Sequence, residues 1–205
     1  MALRALLLDM DGVLVFSEEA WFAVYNQTLV HFGHPAIPRE AFDAIYGNGT
    51  EADRATYMPE RRVEEINAAY AQFFERHLAK ILPNPEAAAF LAEARARGVG
   101  IGVATNTTSP LAGRVLALTG LLPLLDEIAA ADEAGAGKPD PAVLHLAAAR
   151  LGVPLAECLF VGDSRYDAEA AARAPVAFVG YRYGNGDRVA ALADLLPRLP
   201  QPPGR

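Results

Sequence analysis

The stretch Leu6-Leu7-Leu8-Asp9-Met10-Asp11-Gly12-Val13 decides how this chain is read. Three consecutive leucines give a short run that is apolar on both faces, the pattern of a strand enclosed in a sheet. Such a strand should not end on two carboxylates unless something offsets their charge, because a buried anion without a partner is costly. A divalent cation is the natural partner. Gly12 allows a sharp turn directly behind the acids, so that their side chains and nearby carbonyls can converge on one point. Taken alone, the same residues also suit a strand followed by a solvated Asp-Gly turn. The remainder of the chain has to separate the two readings.

With 205 residues, the natural prior is one core domain carrying a sizeable insertion, and 52% hydrophobic residues supply a substantial core. A net charge of -7 argues against nucleic acid as the main partner, since phosphate backbones are bound by basic surface. It leaves a small phosphorylated ligand open. The single cysteine, Cys158, excludes an internal disulfide framework and fits a reducing compartment. It begins an apolar run and reads as a buried bystander rather than a nucleophile. No signal segment and no apolar run of bilayer length is visible. The expectation is a soluble cytoplasmic protein, monomer or homodimer, with no membrane or nucleic-acid partner. Lys80 and Lys138 are the only lysines among 18 basic residues.

Behind the first strand, residues 17–82 carry helical patterning with repeated breaks. Ser17-Glu18-Glu19 opens a helix as an N-cap with acids in the first turn, and apolar positions recur through Trp21, Phe22, Val24, Tyr25, Leu29 and Phe32. A second helical piece is expected over 38–46 and a longer one over 61–82, with Ile66, Ala69, Tyr70, Phe73, Phe74 and His77 on one face. Pro85 begins another helix, reaching residue 97. From residue 99 the pattern becomes short apolar runs alternating with helices. The runs 99–104, 127–130, 159–161 and 176–179 read as buried strands, with helices over 111–119, 141–151 and 167–174. With the first strand, this predicts an α/β fold: a Rossmann-like parallel sheet of about five strands with helices on both faces. The all-helical stretch then forms a cap domain over 17–82, inserted after strand one, with the core domain made of 1–16 and 83–205. Ligands of open α/β sheets bind at the carboxyl edge from which such a cap emerges. Residues 197–205 read as a loose tail.

Each strand ending on that edge delivers polar groups to it. The first supplies Asp9 and Asp11, the second ends in Thr105-Asn106, Gly137-Lys138-Pro139-Asp140 follows the third, and the fourth ends in Gly162-Asp163-Ser164 with Asp167 beyond. Individually, Thr105, Asp163 or Ser164 would serve as turn or N-cap residues. Four such endings in order on one edge point to a site.

In this order and on these elements, Asp9-Met10-Asp11-Gly12, Thr105, Lys138 and Gly162-Asp163-Ser164-Arg165-Tyr166-Asp167 resemble the haloacid dehalogenase-like hydrolase superfamily. Its phosphatase branch reads Asp-x-Asp-Gly, then Ser or Thr, then Lys, then Gly-Asp-x-x-x-Asp. The resemblance spans almost the whole chain, and the helical insertion is similar to the cap of the subfamily containing phosphoglycolate phosphatases and β-phosphoglucomutase-like enzymes. It implies a Mg²⁺-dependent phosphatase that hydrolyses a small phosphorylated metabolite, a phosphate monoester, through an aspartyl-phosphate.

The chemistry gives each residue a task. Phosphoryl transfer needs an attacking group, a proton donor for the leaving alcohol, and positive charge around the equatorial oxygens. Asp9 is the candidate nucleophile. Asp11, one pleat period along, can protonate the leaving oxygen and then activate water. Thr105 offers a hydroxyl, and Asn106 an amide and backbone donors, to a phosphate oxygen. Lys138 supplies a compact cation. Asp163 would complete a Mg²⁺ site with Asp9 and the backbone carbonyl of Asp11, and Asp167 would join directly or through water.

Within the superfamily, the dehalogenase branch lacks an acid at the position of Asp11, and phosphonatases use a cap lysine, whereas the only cap lysine here, Lys80, falls near the hinge. A β-phosphoglucomutase-like mutase is the alternative, and a non-catalytic phosphate-binding protein a further one. That mutase carries a cap histidine where this chain has Trp21, Glu-Asp-Ser where Gly162-Asp163-Ser164 stands, and no acid at the place of Asp167. The phosphatase pattern fits these positions better. One departure is Phe16, where phosphatases of this type read Asp before the serine. The loop Gly47-Asn48-Gly49-Thr50, with Glu51, Asp53 and Arg54, is expected to reach the site. Arg54 is a candidate for an anionic substrate group or a solvated helix arginine, and Trp21 and Tyr25 for the cavity mouth or the cap core.

Overall fold

The computed structural model describes residues 3–201. The chain forms β1 (Ala5–Leu8) and β2 (Val15–Phe16), then four helices, α1 (Glu18–His31), α2 (Arg39–Asp43), α3 (Thr50–Tyr57) and α4 (Val63–Phe74). It returns through β3 (Leu82–Pro83) into α5 (Ala87–Ala96), β4 (Gly100–Thr105), α6 (Ser109–Leu118), β5 (Glu127–Ala130), α7 (Ala131–Ala134) and α8 (Ala142–Leu151). β6 (Cys158–Gly162), α9 (Arg165–Ala172), β7 (Ala177–Tyr181) and β8 (Arg188–Val189) follow.

All four residues of β1 are fully buried. The strand's alternation divides them between two clusters. Leu6 and Leu8 pack with Phe90 and Leu91 of α5 and Val115 of α6, whereas Ala5 and Leu7 pack with Leu144 and Ala147 of α8 and Ala170 of α9. Helices on both faces leave the strand no wet side, hence the unbroken leucine run.

The sheet is parallel, with strand order β5-β4-β1-β6-β7-β8. It holds six strands rather than the five expected, because β8 pairs only Arg188 and Val189 and is too short to leave a pattern. The chain leaves β1 toward β4 on one side and returns on the other at β6, so the topological switch point lies at the carboxyl end of β1. That is where Asp9 stands.

The helix expected over 61–82 stops at Phe74, with a single 3₁₀ turn at Leu78–Lys80 before β3. β2 and β3 form an antiparallel ribbon, pairing Val15 with Pro83 and Phe16 with Leu82. The chain thus leaves for α1–α4 and returns along adjacent paths. Asn84 fastens the return, donating to the Val13 carbonyl at 2.8 Å and to the Tyr181 hydroxyl at 3.0 Å. Near the C-terminus a 3₁₀ helix spans Leu192–Arg198, and Leu192, Leu195 and Leu199 are buried against the first cluster. The expected tail is therefore docked as far as Leu199; residues 202–205 lie outside the described residues. Among the described residues no helix is long and apolar enough to cross a membrane.

Candidate active site

At the carboxyl edge of the sheet lies a cavity of ≈ 400 Å³. Asp9, Thr105, Lys138 and Asp163 line it from the strand ends; Trp21, Tyr25 and Tyr70 line it from α1 and α4. The turn after β1 holds the acids close. Gly12 has φ +86°, and a Cβ there would stand 1.8 Å from Asp163 Oδ2. Only glycine permits that approach.

Asp9 begins where β1 ends, its N–H donating to the Val161 carbonyl at 2.9 Å. Its Oδ1 accepts the Met10 N–H at 2.8 Å and lies 2.7 Å from Lys138 Nζ. Oδ2 has no hydrogen-bond partner among the described residues, so one oxygen is anchored and the other is free. The same Lys138 Nζ lies 2.7 Å from Asp167 Oδ1 and donates to the Ala104 carbonyl at 3.0 Å. Asp167 is fully buried, and its second oxygen accepts the Ser164 N–H and hydroxyl at the start of α9. It thus fastens a helix start and pairs with Lys138 at once.

Carboxylate oxygens of Asp9, Asp163 and Asp167 all lie within 4.8 Å of one another. Burial first, and then the Asp167 charge, push the Asp9 carboxyl well above the ordinary range and Asp163 up to about 7. Lys138 loses by burial but gains more from Asp167 and Asp9, and its pKa is raised. One lysine among two buried acids and a partly buried one leaves negative charge uncompensated. An oxygen-only donor set with excess negative charge suits a hard cation.

Asp11 is held apart from this cluster. Its Oδ1 accepts the Ser17 hydroxyl and, at 3.2 Å, Trp21 Nε1; its Oδ2 accepts the Thr107 hydroxyl at 2.8 Å. Ser17 was expected to cap α1, but it makes no side-chain cap bond, because its hydroxyl is given to Asp11 and lies 3.0 Å from Tyr46 Oη. Thr107, Ser17 and Tyr46 were not read from the sequence as site residues. Thr107 sits two positions past the expected Thr105, and only that proximity hinted at it.

The Thr105 hydroxyl oxygen accepts the Thr107 N–H at 3.1 Å, leaving its own proton to donate. Asn106 is engaged differently from the expectation. Its Nδ2 donates to the carbonyls of Lys138 and Gly47, both at 2.9 Å, and its Oδ1 accepts the Lys138 N–H at 2.7 Å. The side chain ties the lysine loop to the Gly47 loop and has no amide proton left over. Arg54 does not reach the cavity: its guanidinium meets Glu51 at 2.8 Å and the Pro59 carbonyl at 3.2 Å. On the helical wall, Asp53 accepts the Tyr70 hydroxyl at 2.9 Å, and burial pushes the Asp53 carboxyl up to about 7 against that bond.

A family model described as haloacid dehalogenase-like hydrolase matches residues 3–175. The chain is 31% identical to a phosphoglycolate phosphatase of Yersinia pseudotuberculosis, covering 98% of this chain and 95% of the relative. It is 35% identical to a plasmid phosphoglycolate phosphatase of Cupriavidus necator, covering 96% and 91%. Among solved structures, CbbY from Rhodobacter sphaeroides in complex with phosphate superposes with a TM-score of 0.81 at 25% identity, over 94% of this chain and 96% of that one.

Proposed function

Because the chain belongs to the haloacid dehalogenase-like hydrolases and is a phosphoric monoester hydrolase, we propose that Asp9 is its nucleophile and Asp11 its acid and base. The free Oδ2 of Asp9 attacks phosphorus; the P–O bond to the alcohol breaks, and the departing oxygen takes a proton from Asp11. Asp11 then takes a proton from water, whose oxygen attacks the aspartyl-phosphate, releasing inorganic phosphate and restoring Asp9. Lys138 and the Thr105 hydroxyl hold the phosphate oxygens. Ser17, Trp21 and Thr107 fix the Asp11 carboxyl in place, which saves reorganisation during the reaction. Asp9, Asp163 and the Asp11 carbonyl would hold Mg²⁺, with Asp167 behind them through Lys138; the ion supplies charge neutralisation at the phosphate. Residues 17–82 serve as a cap over a core of 1–16 and 83–205.

The observation that carries this reading is the split of the Asp9 carboxylate in the cavity lining: Oδ1 is fixed by Lys138 and Met10, and Oδ2 has no hydrogen-bond partner among the described residues. The expected substrate is a small organic phosphate monoester, in keeping with the relatives' names. The mutase alternative is not favoured by those names. A net charge of -7 and one buried cysteine support a cytoplasmic protein without nucleic-acid or membrane partners. Mg²⁺-dependent hydrolysis of p-nitrophenyl phosphate should fall by at least about a thousandfold in Asp9→Asn. Retained turnover in that variant would remove Asp9 as nucleophile.

A further inference from the structure

The reaction uses the sheet-edge half of the cavity and leaves the polar groups of its helical wall without a task. There Asp53, only 9% exposed, has the Tyr70 hydroxyl as its one side-chain partner. The Tyr25 hydroxyl is buried and has no hydrogen-bond partner among the described residues. Thr50 donates to Asn67 at 2.7 Å beside them, and all five residues line the cavity. A buried acid with one partner and a hydroxyl with none are costly in a wall that only supports structure. Both are accounted for by a ligand that completes their bonds.

Among the described residues this wall contains no cation. Arg54, next to Asp53, is turned to Glu51. Among the described residues the cavity's cations are Lys138, committed to Asp9 and Asp167, and Arg165, on the core side, which lies over the Tyr166 ring and donates to its hydroxyl at 2.6 Å. The volume equals about 13 water molecules, more than a phosphate alone fills.

Resting on the phosphatase reading above, we propose that Asp53, with Tyr70 and Tyr25, determines specificity for the part of the substrate beyond the phosphate, taking a neutral hydroxyl-bearing group and rejecting a carboxylate. A hydroxyl both donates and accepts, so it can give a proton to Asp53 and receive one from Tyr25. Above pH 7, where Asp53 is ionised, a carboxylate would lose its water beside a second anion with no counter-charge on that wall.

Glycerol 3-phosphate and 3-phosphoglycerate differ by hydroxymethyl against carboxylate and form the matched probe. At pH 8, the expected kcat/KM favours glycerol 3-phosphate by about tenfold or more, and Asp53→Asn shifts that ratio toward 3-phosphoglycerate by about tenfold. Tyr25→Phe should lower kcat/KM for glycerol 3-phosphate more than for 3-phosphoglycerate. Melting curves establish that each variant is folded. Equal use of the two esters by the wild type, or a ratio unmoved in folded Asp53→Asn, overturns the proposal. So does preference for 3-phosphoglycerate that disappears in Arg165→Met, which would assign the distal group to the core side. Failure to hydrolyse p-nitrophenyl phosphate as well would instead sink the phosphatase reading, and this proposal with it.

Discussion

Asp53 titrates near 7 in the folded protein, against roughly 4 in an unfolded chain, because burial outweighs the Tyr70 hydrogen bond. The folded state therefore binds the proton more tightly. Its contribution to stability is full below about pH 4, falls as pH rises toward 7, and is level above that. Asparagine does not titrate, and the tyrosines facing it, Tyr25 and Tyr70, both have raised pKa values and stay neutral in this range. The melting temperature of Asp53→Asn minus that of the wild type should thus grow between pH 4.5 and 7 and then flatten. A difference that stays constant across this range would mean that Asp53 is not held up by burial. Residues such as this show where the sequence stops being legible. Asp9, Lys138, Asp163 and Asp167 were readable as strand-end groups because chain order alone brings them to one edge. That Ser17 forsakes its helix for Asp11, or that Asn106 bonds Gly47 from 59 positions away, depends on contacts between elements that no local pattern encodes.

At the scale of elements, the buried strands were legible and the small ones were not. Continuous apolar runs announced β1, β4, β5, β6 and β7, whereas β8 and the β2–β3 ribbon pair two residues per strand and have no periodicity to detect. α3 was read as part of a loop, since Gly47-Asn48-Gly49 dominates its beginning and Asp53 faces inward, against the usual exposure of acids. The turn after β1 is the element most sensitive to a small change. Gly12→Ala imposes left-handed strain and also drives a methyl into Asp163, while Gly33 has the same φ of +86° with nothing within 4 Å of its absent Cβ. Gly33→Ala should cost about 1 kcal/mol, the strain alone. Gly12→Ala should cost about 1–3 kcal/mol more in chemical denaturation, with the acidic cluster displaced. Equal costs for the two would show that the turn has room to spare.

For the molecule as a whole, the alternation of strands and helices was enough for a parallel sheet covered on both faces, but not for the order in which its strands lie. The β1 switch point follows from which helix covers which face, a property of packing rather than of any one segment. This arrangement gathers Asp9, Asp163 and Asp167 against one lysine and leaves the native state with charge it would shed by binding a cation. Any ligand that binds the folded but not the unfolded chain stabilises it, by about 2.7 kcal/mol at a hundredfold excess over Kd. For a chain of this size each kcal/mol raises the melting temperature by roughly 2–4 °C. Titrating Mg²⁺ into the apoprotein should therefore raise Tm by about 5–10 °C, saturably, at constant ionic strength. Asp163→Asn leaves Asp9 and Lys138 in place but removes a carboxylate that no other side chain among the described residues engages, so it should weaken the shift strongly while matching or exceeding the metal-free stability of the wild type. A Tm that ignores millimolar Mg²⁺, or a shift of equal size in Asp163→Asn, would mean that the acids are balanced by some other means and that the metal does not sit among them.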